Sequence, residues 1–258
     1  MFAEIDENTL LLDPERAAAK VSPRTAALMP VHLYGQTCDL HRWSRLALEA
    51  GALLIQDACQ AHGARHGGLA LTEHSPFVAY SFYPTKNLGA LGDGGALCTA
   101  RAEDALTAKL LRDGGRDEGH VSVLPGINSR LDEMQASYLR VALRHLEGWN
   151  RQRRKLAAIY DQELMDLPAE NFHPVARHGE SDHMYHLYVA RAARRDALKE
   201  YLAARNVVTG IHYTTPLHLQ PAFAAAWARV VCLMRKRRLA RSSPCRWDRI
   251  SRSRKFEE

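Results

Sequence analysis

A single lysine, Lys86, stands between an apolar run, Pro76 to Phe82, and a glycine-rich stretch that holds Gly89, Gly92, Gly94 and Gly95. A lysine amine that sheds its proton in a confined site becomes a nucleophile and forms a Schiff base with an aldehyde. Close-set glycines let backbone approach a bulky group beside that amine. Upstream, Gly51-Ala52-Leu53-Leu54-Ile55-Gln56-Asp57 reads as a buried strand that ends on a carboxylate. A carboxylate to face a pyridinium nitrogen and a lysine to form an imine are what pyridoxal phosphate chemistry needs from its protein. Each residue also has a plainer use: Lys86 as a surface charge, Asp57 as a cap at a strand end. Their joint occurrence with Ser81 and the glycines favours chemistry. The glycines themselves are read as serving the turn.

The elements that must position this pair alternate. Ala26 to Leu33, Ala52 to Ile55, Pro76 to Phe82 and Gly95 to Thr99 read as strands, with helical patterns over Leu40 to Gly51 and Leu106 to Arg112. Such alternation predicts an α/β fold with a mostly parallel sheet. In sheets of this kind ligands gather beyond the carboxyl ends of the strands, where both Asp57 and Lys86 fall. A long helical pattern follows from near Leu131 to Leu146 and resumes past Gly148 to Leu164; its front half is amphipathic, and its middle, crowded with Arg151, Arg153, Arg154 and Lys155, reads as a solvated helix face. Between His183 and Tyr213 the order strand, helix, strand predicts a small α+β unit. The expected division is 1–147 as a partial large domain, 148–229 as a partial small domain, and 230–258 as a basic tail.

The 258 residues carry a formal charge of +6. That charge is concentrated: Val230 to Glu258 holds ten basic and three acidic residues, and the remainder is near neutral. A general attraction for nucleic acid is therefore not expected. The tail invites a nucleic-acid reading, but it has few interleaved aromatics, and its abrupt onset suggests a shifted reading frame and a disordered, non-native end. Five scattered cysteines, Cys38, Cys59, Cys98, Cys232 and Cys245, without CxxC spacing suit a reducing compartment and argue against a zinc site. His183 and His186 alternate as on a strand, facing opposite sides, so metal binding is not expected. No run is long and apolar enough to span a bilayer, and the acidic amino terminus does not resemble a signal peptide. The expected location is the cytoplasm.

Asp57-Ala58-Cys59-Gln60-Ala61-His62-Gly63 together with Ser81 to Gly95 resembles the DegT/DnrJ/EryC1/StrS sugar aminotransferases, pyridoxal-phosphate enzymes of fold type I. Further similar segments occur in family order: Pro30 to Gln36, Leu111 to Gly115, Gly126 to Ala136 and Pro216 to Phe223. The resemblance covers about residues 2 to 225. It implies that Lys86 holds the cofactor covalently and later moves the proton, and that Asp57 pairs with the ring nitrogen. Gln60 would lie beside the ring's phenolic oxygen, and Ser81 would hold the phosphate. Asn128 would reach the cofactor phosphate of a neighbouring subunit, making the expected assembly a homodimer. His218 and Tyr213 would contact substrate. The implied reaction moves an amino group, with glutamate as the usual donor, onto a nucleotide-linked keto-sugar. The family's amino-terminal part is expected to be absent and the carboxyl-terminal end aberrant. The alternatives are a non-catalytic remnant that keeps the fold or a dimer surface, and a protein that binds nucleic acid through its tail.

Overall fold

The computed structural model describes residues 1–179, 181–224 and 245–247. In chain order the elements of the first half are α1 (Pro14–Ala18), β1 (Ala27–Leu28), α2 (Leu40–Glu49), β2 (Leu53–Asp57), β3 (Arg65–His66), β4 (Leu69–Ala70), β5 (Phe77–Ser81), β6 (Gly95–Thr99) and α3 (Ala102–Leu111). Then come α4 (Glu133–Leu143), α5 (Leu146–Glu163), β7 (Phe172–Pro174), β8 (Tyr188–Ala192), α6 (Arg195–Ala203), β9 (Thr209–Ile211), α7 (Pro221–Ala224) and β10 (Cys245–Trp247).

The first sheet has the order β1-β2-β5-β6. β1, β2 and β5 run parallel, and β6 returns antiparallel beside β5 over five residue pairs. The expected α/β class with a mostly parallel sheet is therefore present. α2 makes the crossover from β1 to β2. Asp39 caps its start by accepting the Arg42 amide at 3.1 Å, and Leu40, Trp43 and Ala47 form its buried face. Trp43 joins Leu11, Leu28, Cys38 and Leu54 in the cluster under β1 and β2. On the other side Leu40, Ala58, Leu71, Val78 and Met184 close the core around β5.

A buried polar chain runs through this core. His32 is fully buried; its Nδ1 accepts the Cys38 amide at 3.0 Å and its Nε2 lies 2.9 Å from Gln56 Oε1. With Nδ1 accepting, Nε2 carries the proton. The Gln56 amide nitrogen then donates to Leu71 O at 2.7 Å and Ser75 Oγ at 2.9 Å. This accounts for a glutamine on the inward face of β2, since a buried amide is tolerable only when its hydrogen bonds are met.

The long helical pattern divides into α4 and α5 at Arg144–His145. The second sheet has the order β7-β8-β10-β9, with antiparallel pairing throughout, and α6 packs on it. Three residues of the tail expected to stand outside the fold, Cys245–Trp247, are thus the strand between β8 and β9. They pair with Tyr188–Ala190 on one side and Thr209–Ile211 on the other. The cause is general: backbone groups on two strands that do not pair with each other need a partner strand. The rest of 230–258, and with it the reading of those residues as non-native, lies outside the described residues.

Candidate active site

Asp57 is the last residue of β2, and both of its backbone groups are bonded to the Pro30–His32 segment. Its N–H donates to Pro30 O at 3.0 Å, and its carbonyl accepts His32 N at 2.9 Å. The carboxylate, half-buried, accepts the Cys59 amide at 3.0 Å. On the neighbouring parallel strand, β5 ends at Ser81, and the chain then turns through Pro84 to Lys86, whose N–H donates to Tyr83 O at 2.9 Å. The turn leaves no room for a side chain at Gly89, where a Cβ would come within 2.5 Å of Pro84 O. This glycine serves the turn itself, as expected.

The charges of Asp57 and Lys86 are both felt by the Cys59 thiol, which is pushed up to about 12, first by burial and then by Asp57, against the opposing pull of Lys86. Lys86 also bears on His62, which is 2 % exposed and packs its ring 5.4 Å from that of Tyr80. Burial lowers the His62 pKa to about 4, the Lys86 charge adds to the effect, and the Ser81 backbone opposes it. Neither His62 ring nitrogen closes a hydrogen bond of normal geometry.

Gln60 is buried and bridges two elements. Its Oε1 accepts the Tyr34 amide at 2.5 Å, and its Nε2 donates to Tyr213 Oη at 3.3 Å. Tyr34 in turn donates from its hydroxyl to His212 O at 2.9 Å. The structure therefore brings Asp57, Gln60, Lys86 and the half-exposed Tyr213 to one end of the first sheet. Ser81 lies there too, its Oγ accepting the Tyr83 amide at 3.2 Å. Asn128 stands exposed in an isolated bridge with Asp113, on the loop before α4. His218 is buried, its ring 6.0 Å from that of Phe2.

A carboxylate at a strand end, an amine on the next turn, a buried amide and a hydroxyl form a donor set that fits pyridoxal phosphate. The carboxylate suits a protonated ring nitrogen, the amine suits the aldehyde, and the hydroxyl suits the phosphate. Among the described residues no group of three or more His, Cys, Asp or Glu is arranged to hold a metal ion. No described helix is long and apolar enough to cross a membrane.

The model of the DegT/DnrJ/EryC1/StrS aminotransferase family matches residues 1–233. The chain belongs to this family. Similarity to this sugar aminotransferase family thus reaches beyond the Phe223 at which the sequence motifs end. The erythromycin biosynthesis sensory transduction protein EryC1 of Saccharopolyspora erythraea is 46% identical over 216 residues, 83% of this chain and 58% of that protein. The dTDP-3-amino-3,4,6-trideoxy-alpha-D-glucose transaminase of Streptomyces venezuelae is 43% identical over 86% of this chain and 58% of its own length. The crystal structure of S. venezuelae DesV in complex with a ketimine intermediate superposes with a TM-score of 0.90 at 40% identity, covering 95% of this chain and 65% of DesV. The chain thus spans less than two thirds of the length of these DegT/DnrJ/EryC1/StrS relatives.

Sequence reasoning missed the side chains that fasten this site. Tyr34, Asn87, Asn150 and His186 carry no chemistry of their own, and only Asn87, beside Lys86, had a local signal. His183 and His186, expected on one strand, precede β8. The His183 ring stacks on Tyr185 at 3.9 Å, while His186 faces Asn87.

Proposed function

We propose that this chain carries the pyridoxal phosphate site of an aminotransferase that transfers an amino group, with glutamate as donor, to a nucleotide-linked keto-sugar. The observation that carries this reading is the placement of Asp57 and of the turn bearing Lys86 at the same end of the adjacent parallel strands β2 and β5, in a chain of this aminotransferase family. The transaminase relative from S. venezuelae supports the substrate class. The reading includes a homodimer in which Asn128, exposed on the loop before α4, reaches the cofactor phosphate of the second subunit. The free cysteines Cys38, Cys59 and Cys98 accord with a cytoplasmic setting.

When bound, pyridoxal phosphate supplies an aldehyde that captures amino groups and a ring that accepts the electron pair left by a broken Cα–H bond. Asp57 holds the ring nitrogen protonated. The Cys59 amide, donating to Oδ1, helps fix the carboxylate that would pair with the ring nitrogen. Lys86 would hold the cofactor through its aldehyde, and its amine would be the group that moves a proton between substrate and cofactor. Gln60, fixed by the Tyr34 amide, would hold the cofactor beside its phenolic oxygen, and Tyr213, bonded to Gln60, would contact substrate.

The test is an absorbance titration of the full chain with pyridoxal phosphate, followed by borohydride and peptide mass spectrometry. A visible band that borohydride removes, with the label on Lys86 and loss of the band on adding glutamate, is the expected result. A label on Lys109 or Lys155 would remove the assignment.

A further inference from the structure

Lys86 is followed by Asn87, and Asn87 is buried. Its amide nitrogen donates to Asn150 Oδ1 at 2.9 Å and to Met184 O at 2.8 Å. Its Oδ1 lies 3.2 Å from His186 Nδ1. Since an amide oxygen can only accept, Nδ1 carries the proton of that contact. Asn150, fully buried on α5, passes the chain onward by donating from Nδ2 to His62 O at 2.8 Å. Both N–H groups of Asn87 are therefore used, and its oxygen as well. Four segments meet at this point: the Asp57–His62 stretch, the Lys86 turn, α5, and the chain leading into β8. α5 grips the last of these a second time, through Arg153 Nη1, which donates to Tyr185 O at 3.0 Å and His186 O at 3.3 Å.

We propose that Asn150 and His186, acting through Asn87, are positioning residues that hold the Lys86 amine in register with Asp57. The turn from Tyr83 to Ala90 is otherwise pinned by few backbone bonds, Lys86 N to Tyr83 O and Ala90 N to Phe82 O among them. Those bonds fix the shape of the turn but not its seat on the sheet. Leu88 and Ala90 pack against Leu139, Ala142 and Leu146, and apolar packing has no direction. A buried amide with every hydrogen bond met has one acceptable geometry, because any shift leaves a polar group unpaired in a medium without water. The same asparagine pair reaches the backbone of His62, five residues beyond Asp57. Amine and carboxylate are thereby referred to one common anchor.

This inference rests on reading Lys86 as the amine of the site, and the experiment separates the two. The full chain without cofactor is treated with trace acetic anhydride over a pH series. Acetylation of Lys86 is read by mass spectrometry against Lys109 and Lys155. Asn150→Leu and His186→Leu should raise Lys86 labelling about tenfold, the factor that goes with releasing one well-made buried hydrogen bond. Lys109 and Lys155 should stay as in the parent. His186→Gln, which keeps a donor facing Asn87, should stay near the parent. Should a leucine variant fail to fold, Asn150→Asp, which keeps the acceptor for Asn87 and loses the donor to His62, takes its place. With pyridoxal phosphate added, the pH midpoint of the visible band should shift in the same variants. If Lys86 labelling and the band midpoint stay unchanged while the melting temperature falls, the network is structural only and the proposal is overturned. A parallel rise at all three lysines overturns it too, since that is general loosening. If the parent gives no borohydride-stable label at Lys86 but the labelling contrast holds, the positioning role stands and the aminotransferase reading falls.

Discussion

Three histidines, His32, His62 and His183, give this fold an acid limit that does not depend on any cofactor, the last lowered by burial to about 3. His32 is fully buried and His62 is 2 % exposed. Burial is the leading cause that lowers each to about 4, against an ordinary value of 6.5. Gln56 and the Asp57 charge oppose the shift at His32, and they are outweighed. All three folded values lie below the unfolded one, so in that interval the unfolded chain binds more protons. Stability must therefore rise with pH across this window and be lost as pH falls through it. The full slope is about 1.4 kcal/mol per pH unit for each histidine. At about pH 5 each costs roughly 2 kcal/mol relative to neutral pH, so His32 and His62 together cost roughly 4 kcal/mol, and His183 adds to it. That is a large part of the ~5–15 kcal/mol by which domains are usually stable. Urea denaturation at a series of pH values measures it directly. His62→Leu should remove one proton from the slope and improve stability in acid, since it also removes two ring nitrogens without normal hydrogen bonds. His32→Gln should lower the slope by the same amount. A slope that neither variant changes would refute the assignment of these two rings as groups that titrate.

Asp57→Asn should leave the cofactor able to label Lys86 but slow each half-reaction by about 10³ or more, because a neutral amide does not keep the ring nitrogen protonated; stopped-flow absorbance after glutamate addition checks it. Tyr213→Phe removes the hydrogen bond from Gln60 at 3.3 Å on a half-exposed side chain. It should cost under about 1 kcal/mol in urea denaturation while raising the apparent KM for the sugar substrate. Trp43→Ala, at a side chain 1 % exposed in the cluster beneath β1 and β2, should cost about 3–5 kcal/mol, measured as a shift in urea midpoint at constant slope.

The strands that end on Asp57 and Ser81 were legible because each is a short apolar run closed by a polar residue, and β2, β5, β6 and α2 lie within a few residues of expectation. The break between α4 and α5 was expected near Gly148, which lies inside α5, because both halves keep a helical period and no proline or capping residue marks Arg144–His145. The stretch His183 to His186 alternates like a strand, yet it is not one. Met184 N donates to Gly35 O and Met184 O accepts from Asn87, so its backbone groups are spent on neighbours outside any ladder. The asparagine network spans 63 residues from Asn87 to Asn150 and 99 from Asn87 to His186. Its members are ordinary polar residues whose partners only the fold supplies. Asn150 lies amid Arg151, Arg153 and Arg154, in a helix segment that reads as solvated, and it is fully buried.

A purely apolar anchor under the lysine turn would serve stability at least as well, since exchanging buried polar networks for well-packed apolar groups is often neutral or stabilising. What apolar contacts do not supply is a unique position along the sheet. As the amine of the proposed site, Lys86 would have to meet a reacting carbon to within a fraction of an ångström, and small displacements of that kind cost rate steeply. The turn that carries it is built from Pro84, Gly89 and few side chains that could fix it from within. Its position must therefore be set from outside. Side-chain hydrogen bonds reach that turn from α5 and from the segment entering β8 at Asn87, beside the one from Ser81 at Tyr83. The same residues tie the turn to α5 and to the segment entering β8, so a shift of the second sheet against the first would be felt at Lys86 before it reached Asp57, which the β1 and β5 ladders hold independently.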